Sequence, residues 1–171
     1  MIRVLFVCLG NICRSPTAQG VFEALLEREG LSGQISVDSA GTGGWHRGAL
    51  PDKRATEAAA LRGIDLSRQR ARKVTRDDFA NFDYILAMDS NNLVALQKLA
   101  PPEHKAKLCL FLDYAPHAST REVPDPYYGG AHGFEHVLDL VEEAAEGLLA
   151  DIRTSHLDGV PSHTRAGKIS G

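Results

Sequence analysis

Apolar positions recur with two periods along this chain, and the alternation between them predicts its elements. Residues 2–7 form a short, β-branched and nearly unbroken apolar run, as expected of a strand buried on both faces. A helix pattern follows. Ser15 reads as its N-cap and Pro16 as its first residue; Ala18, Val21, Phe22, Leu25 and Leu26 mark one face before Gly30 stops it. A second strand fits residues 34–38, a glycine-rich loop fits 41–48 around Trp45, and a helix fits 52–62 before Gly63. Thr75 caps a short helix whose positive start is met by Asp77 and Asp78. Strands at 83–88 and 107–112 flank a helix at 90–99 that Pro101-Pro102 ends. The last helix, 133–153, carries Phe134, Val137, Val141, Ala145, Leu148 and Ile152 on one stripe.

Strands alternating with helices imply right-handed crossovers, so the expected fold is α/β: a four-stranded parallel sheet with helices on both faces. Ligands bind such sheets beyond the carboxyl ends of the strands, which singles out the loop after the first strand. With 171 residues and 43% hydrophobic content, one core and one domain are expected, spanning 1–157. Residues 158–171 are small and polar and read as a poorly anchored tail. A net charge of -3 offers no basic surplus for a nucleic-acid backbone, and no segment has the length and apolarity to span a membrane. The apolar start stops at Gly10-Asn11 and is followed by Arg14, so it makes a poor secretion signal. Three cysteines are too few for a disulfide framework, which places the chain in a reducing cytoplasm.

Two of those cysteines stand five residues apart. The segment Cys8-Leu9-Gly10-Asn11-Ile12-Cys13-Arg14-Ser15 joins the first strand to the first helix. Its amides can curl into an anion nest at the helix's positive end. Arg14 adds a planar, two-pronged donor suited to phosphate, and the same positive field favours a thiolate at Cys8. A thiolate facing phosphorus is a nucleophile for phosphoryl transfer. The competing structural role, Cys8 as a small buried hydrophobe, does not account for this context.

This loop resembles the signature loop of the low-molecular-weight protein tyrosine phosphatases. The resemblance continues through Asp38-Ser39-Ala40-Gly41-Thr42, Asp78-Phe79, residues 82–89 and Asp125-Pro126-Tyr127, covering about the first 150 residues. It implies a phosphocysteine intermediate on Cys8, phosphate binding by Arg14 and by the loop from Leu9 to Ser15, and Asp125 as general acid and base. Asp125 lies in a loop stiffened by Pro124 and Pro126, where an Asx turn is its alternative role. Ser15 is implied to hydrogen-bond the leaving thiolate, and Ser39 to hold Asn11, whose side chain suits a left-handed turn. Gln69 stands where the family carries a second, histidine support. Trp45, Tyr127 and Tyr128 are implied walls for a flat aromatic leaving group. The implied partners are phosphotyrosine-bearing protein substrates and a tyrosine kinase, with no cofactor and a monomer or weak dimer.

Several residues qualify the picture. His132 and His136 have ligand spacing but no evident third partner, so no metal is expected. Cys109 sits in an apolar strand and reads as packing. Cys13 is placed to trap an oxidised Cys8 as a disulfide if the loop curls enough. An arsenate reductase of similar fold would relay oxidation to further cysteines, and 79–99 contains none. A protein arginine phosphatase would carry threonine at Ile12, and a phosphate-binding module would not need Cys8 together with Asp125.

Overall fold

The computed structural model describes residues 1–127, 129 and 131–157. Tyr128 and the tail 158–171 lie outside the described residues. Four strands, β1 (Ile2–Cys8), β2 (Ile35–Gly41), β3 (Tyr84–Ala87) and β4 (Leu108–Leu110), make one parallel sheet in the order β2-β1-β3-β4. Among the described residues, five α-helices accompany them: α1 (Arg14–Arg28), α2 (Lys53–Ala60), α3 (Arg76–Asn81), α4 (Ser90–Leu99) and α5 (Ala131–Ile152). Short 3₁₀ turns occupy Pro102–Lys107 and Phe111–Tyr114, and a π-helical turn occupies Arg153–Leu157.

The unbroken apolar run of β1 follows from its central place. Side chains alternate across a strand, so Val4 and Phe6 enter the core under α1 and α5, while Leu5 and Val7 enter the core shared with Phe79 of α3 and Leu96 of α4. Phe6 meets the rings of Phe22 and Phe111 edge-on at 5.9 and 4.8 Å. The α5 stripe expected from the sequence is buried at all six positions. Helix α5 also packs closely against the turn after β4: a Cβ at Gly147 would overlap the Tyr114 carbonyl.

Several boundaries differ from expectation, and four of the differences bear on the site or its surroundings. Helix α1 begins two residues early, with Cys13 at the N-cap and Pro16 at the third helical position, still within the turn whose amides lack helical partners. Strand β2 runs three residues past 38, because Phe6, Val7 and Cys8 pair with Ser39, Ala40 and Gly41. Strand β4 stops at Leu110, its last partner on β3 being Ala87, and the chain then winds into a turn. Helix α5 starts at Ala131, so His132 and His136 both lie within it. Among the described residues, no three His, Cys, Asp or Glu side chains cluster as a metal site would require, and no helix is long and apolar enough to cross a membrane.

Candidate active site

Strand β1 delivers Cys8 to the carboxyl edge of the sheet, and six residues later α1 begins. The loop between them is held from outside by its carbonyls. Thr42 N–H donates to Cys8 O at 2.9 Å, Gly43 N–H to Leu9 O at 2.9 Å and Asp52 N–H to Ile12 O at 2.7 Å. Gly41 permits this approach, since a Cβ there would sit 2.8 Å from Leu9 O and 3.2 Å from Asn11 N. On the inner side, Asn11 N–H donates to Cys8 Sγ at 3.2 Å.

Asn11 makes the turn with φ of 58°, the one positive φ outside glycine among the described residues. Its Nδ2 donates to Ser15 Oγ at 2.8 Å and Ser39 Oγ at 3.0 Å, and its Oδ1 accepts from Arg72 N–H at 3.0 Å. Ser39 has a single hydroxyl proton, and the nearer acceptor is Gln19 Oε1 at 2.7 Å rather than Gln69 Oε1 at 3.5 Å. Gln69 donates instead to Pro16 O at 2.9 Å. The expected pair of supports is therefore rewired: Ser39 holds Asn11 directly, and Gln19, which the sequence did not suggest, holds Ser39. Arg72 is fixed in turn by Asp38 and Asp78 at 2.9–3.2 Å.

Ser15 is not the N-cap of α1. As the second helical residue it turns its Oγ into the loop, 3.0 Å from Cys8 Sγ. Arg14 is buried, and its Nη1 donates to Asp89 Oδ2 at 2.6 Å and Val123 O at 3.0 Å, with Nη2 3.6 Å from Asp125 Oδ2. Burial works against its charge, but Cys8, Asp89 and Asp125 outweigh it, so Arg14 holds its proton more firmly than a free guanidinium. Asp89, given no role by the sequence reading, serves two partners. Its Oδ1 accepts Asn92 N–H at 2.7 Å, while Oδ2 takes Arg14.

A cavity of about 400 Å³ opens over these groups. Cys8, Leu9, Gly10, Ile12, Cys13 and Arg14 form its floor, Trp45, His46 and Tyr127 its walls, and Asp125 its mouth. Trp45 is 71% exposed, its ring lying over Gly43, so it is a wall and not a core residue. Asp125 Oδ1 accepts Tyr127 N–H at 3.0 Å, so the Asx turn coexists with an Oδ2 that lies 3.6 Å from Arg14 Nη2. A larger cleft of about 690 Å³ lies over Gln19, Glu23 and Asp38, but it reaches neither Cys8 nor Arg14. The nucleophile candidate thus occupies the smaller space. Burial, reinforced by Asp52, Cys8 and Asp125, pushes the Cys13 thiol up to about 12. Cys109 is packed in β4, and burial raises it to about 11.

The family model for low molecular weight phosphotyrosine protein phosphatase matches residues 3–157. This chain belongs to that family. Its members are hydrolases, and this one is 44% identical over 153 residues to the low molecular weight protein-tyrosine-phosphatase YfkJ of Bacillus subtilis, covering 90% of this chain and 97% of the relative. A crystal structure of a protein tyrosine phosphatase from Entamoeba histolytica superposes with a TM-score of 0.88 at 40% identity, covering 90% of this chain and 98% of the other. The Drosophila arginine phosphatase DARP superposes with a TM-score of 0.84 at 32% identity, covering 90% and 99%. Family membership therefore spans both the loop from Cys8 to Ser15 and the loop of Asp125.

Proposed function

We propose that this phosphatase hydrolyses phosphotyrosine in proteins through a phosphocysteine on Cys8. The observation that carries this reading is the convergence of Cys8 Sγ, the Arg14 guanidinium and the Asp125 carboxylate on one aromatic-walled cavity. Arg14 and the loop amides bind the phosphoryl oxygens, and Trp45 and Tyr127 flank the aryl ring. The Cys8 thiolate attacks phosphorus, the P–O bond to tyrosine breaks, and Asp125 gives its proton to the departing oxygen. Water then attacks the phosphocysteine while Asp125 takes a proton back. The P–S bond breaks, inorganic phosphate leaves, and the thiolate returns to the Asn11 N–H and the Ser15 hydroxyl.

Its protein substrates require a tyrosine kinase to make them, and a reducing cytoplasm keeps the thiolate competent. Cys13 beside the nucleophile supports a reversible disulfide that spares an oxidised Cys8 from further oxidation. The likeness to DARP makes phosphoarginine the competing substrate, and Ile12 in the loop speaks for the aryl ester. Turnover of phosphotyrosine and phosphoarginine peptides decides between them. The expected result is hydrolysis of phosphotyrosine, with a phosphoenzyme trapped by rapid acid quench and absent from Cys8→Ser. Preferential release of phosphate from phosphoarginine would overturn the substrate assignment.

A further inference from the structure

Asp125 stands on a loop with no regular structure, and something must hold its carboxylate over the cavity. Arg54, in the first turn of α2, is placed to do so. Asp52 caps α2 by accepting Arg54 N–H at 2.8 Å, and its two oxygens also grip Arg54 Nε and Nη2 at 3.2 and 3.1 Å. Nη2 reaches on to Tyr127 O at 2.9 Å. The guanidinium lies 5.4 Å from the Tyr127 ring centroid and 4.9 Å from that of Phe134 on α5. Tyr127 N–H is the donor to Asp125 Oδ1, and Asp52 N–H is the donor to Ile12 O. A continuous line of contacts therefore runs from the phosphate loop through Asp52, Arg54 and Tyr127 to Asp125.

We propose that Arg54 is a positioning residue that sets the Asp125 carboxyl for proton delivery to the leaving oxygen. This rests on the assignment of Asp125 as the general acid. Arg54 does not touch the reacting atoms; it fixes the residue that fixes the acid. Arg54 is exposed although Asp52 is largely covered, so solvent screens the pair and its geometry matters more than its charge. The planar fork serves three acceptors while its faces meet aromatic rings, which a lysine ammonium cannot reproduce. A small displacement of a catalytic group is enough to cost rate, because proton transfer needs hydrogen-bond reach.

The test is kcat/KM for phenyl phosphate, a poor leaving group, and p-nitrophenyl phosphate, a good one, in wild type, Arg54→Ala, Arg54→Lys, Asp125→Asn and the double variant Arg54→Ala/Asp125→Asn. General acid catalysis is worth about 10²–10⁴-fold, and a misplaced acid in Arg54→Ala should forfeit about tenfold on phenyl phosphate with less than about twofold on p-nitrophenyl phosphate. In the Asp125→Asn background the same change should add less than about twofold, since residues acting through one group are not additive. Arg54→Lys keeps a pairing with Asp52 and should lose about threefold on phenyl phosphate, which carries the test if Arg54→Ala does not fold by thermal denaturation. Equal losses on both substrates, or none, would overturn the positioning role. Selective loss in Asp125→Asn without selective loss in the Arg54 variants would overturn it alone, leaving the acid in place. Identical behaviour of both substrates in Asp125→Asn would overturn the acid assignment and Arg54's role with it.

Discussion

At the scale of single residues, the site depends on hydrogen bonds that each have one donor to give. Asn11 combines a left-handed backbone with three side-chain bonds, and the two contributions can be separated. Asn11→Gly relieves the backbone but removes the bonds; Asn11→Ala loses both and should be less stable than Asn11→Gly by about 1 kcal/mol. Both should lose most activity, measured as kcat on p-nitrophenyl phosphate beside a denaturant titration. Activity in Asn11→Gly close to wild type would mean that the turn alone matters. The Ser39 proton distinguishes the two glutamines. Gln19→Leu should lower kcat about three- to tenfold by removing the acceptor at 2.7 Å, the scale of one hydrogen bond of about 1 kcal/mol. Gln69→Leu should lower it less, its bond to Ser39 being long. The reverse order would restore Gln69 as the main support.

At the scale of elements, helix ends and helix contacts carry the predictions. Gly147 lies in the middle of α5, where alanine would ordinarily stabilise a helix by about 0.5–1 kcal/mol. Here the Tyr114 carbonyl occupies the space of the Cβ, so Gly147→Ala should destabilise by about 1–3 kcal/mol as overpacking does. A raised thermal midpoint in that variant would show that α5 can move away from the turn after β4. Sequence periodicity placed α5, α1 and the four strands because a buried face needs apolar residues at a fixed spacing. It misplaced the start of α1 because Ser15-Pro16 imitates a cap. Ser15 instead turns into the loop, 3.0 Å from Cys8, where Asn11 and Ser15 form one network. The end of β2, residues 39–41, escaped the strand pattern because Ser39 and Gly41 serve the loop, Ser39 by accepting from Asn11 and Gly41 by letting Leu9 O approach.

At the scale of the whole molecule, one buried thiol and the partly buried Cys109, Tyr84 and Tyr114 are expected to limit stability at alkaline pH. Burial raises Cys13 from 9.0 to about 12 and Cys109 from 9.0 to about 11, and it raises Tyr84 and Tyr114 as well, with Asp151 adding at Tyr84 and Cys109 at Tyr114. Above pH 9 the unfolded chain releases these protons while the folded chain keeps them, so the unfolded state binds fewer protons and stability falls as pH rises. Urea midpoints should therefore decline steadily between pH 9 and pH 11, and Cys109→Ala should flatten part of that decline. A midpoint constant across this range would mean that the folded state accommodates the ionised groups. The sequence by itself determined the alternating elements, the parallel sheet and the loop of Cys8, Arg14 and Ser15, because strand burial, helix periodicity and an anion nest are local patterns. It also marked Asp125, though only through family resemblance, since an acid in a proline-flanked loop has no local pattern distinct from an Asx turn. Only the tertiary structure decided that Gln19 rather than Gln69 accepts from Ser39, that Asp89 pairs with Arg14, and that Arg54 joins the Cys8 loop to the Asp125 loop. Those contacts link residues 20 to 75 positions apart, and a single side-chain proton or a fork of nitrogen atoms finds its partner by distance in space, which no spacing along the chain encodes.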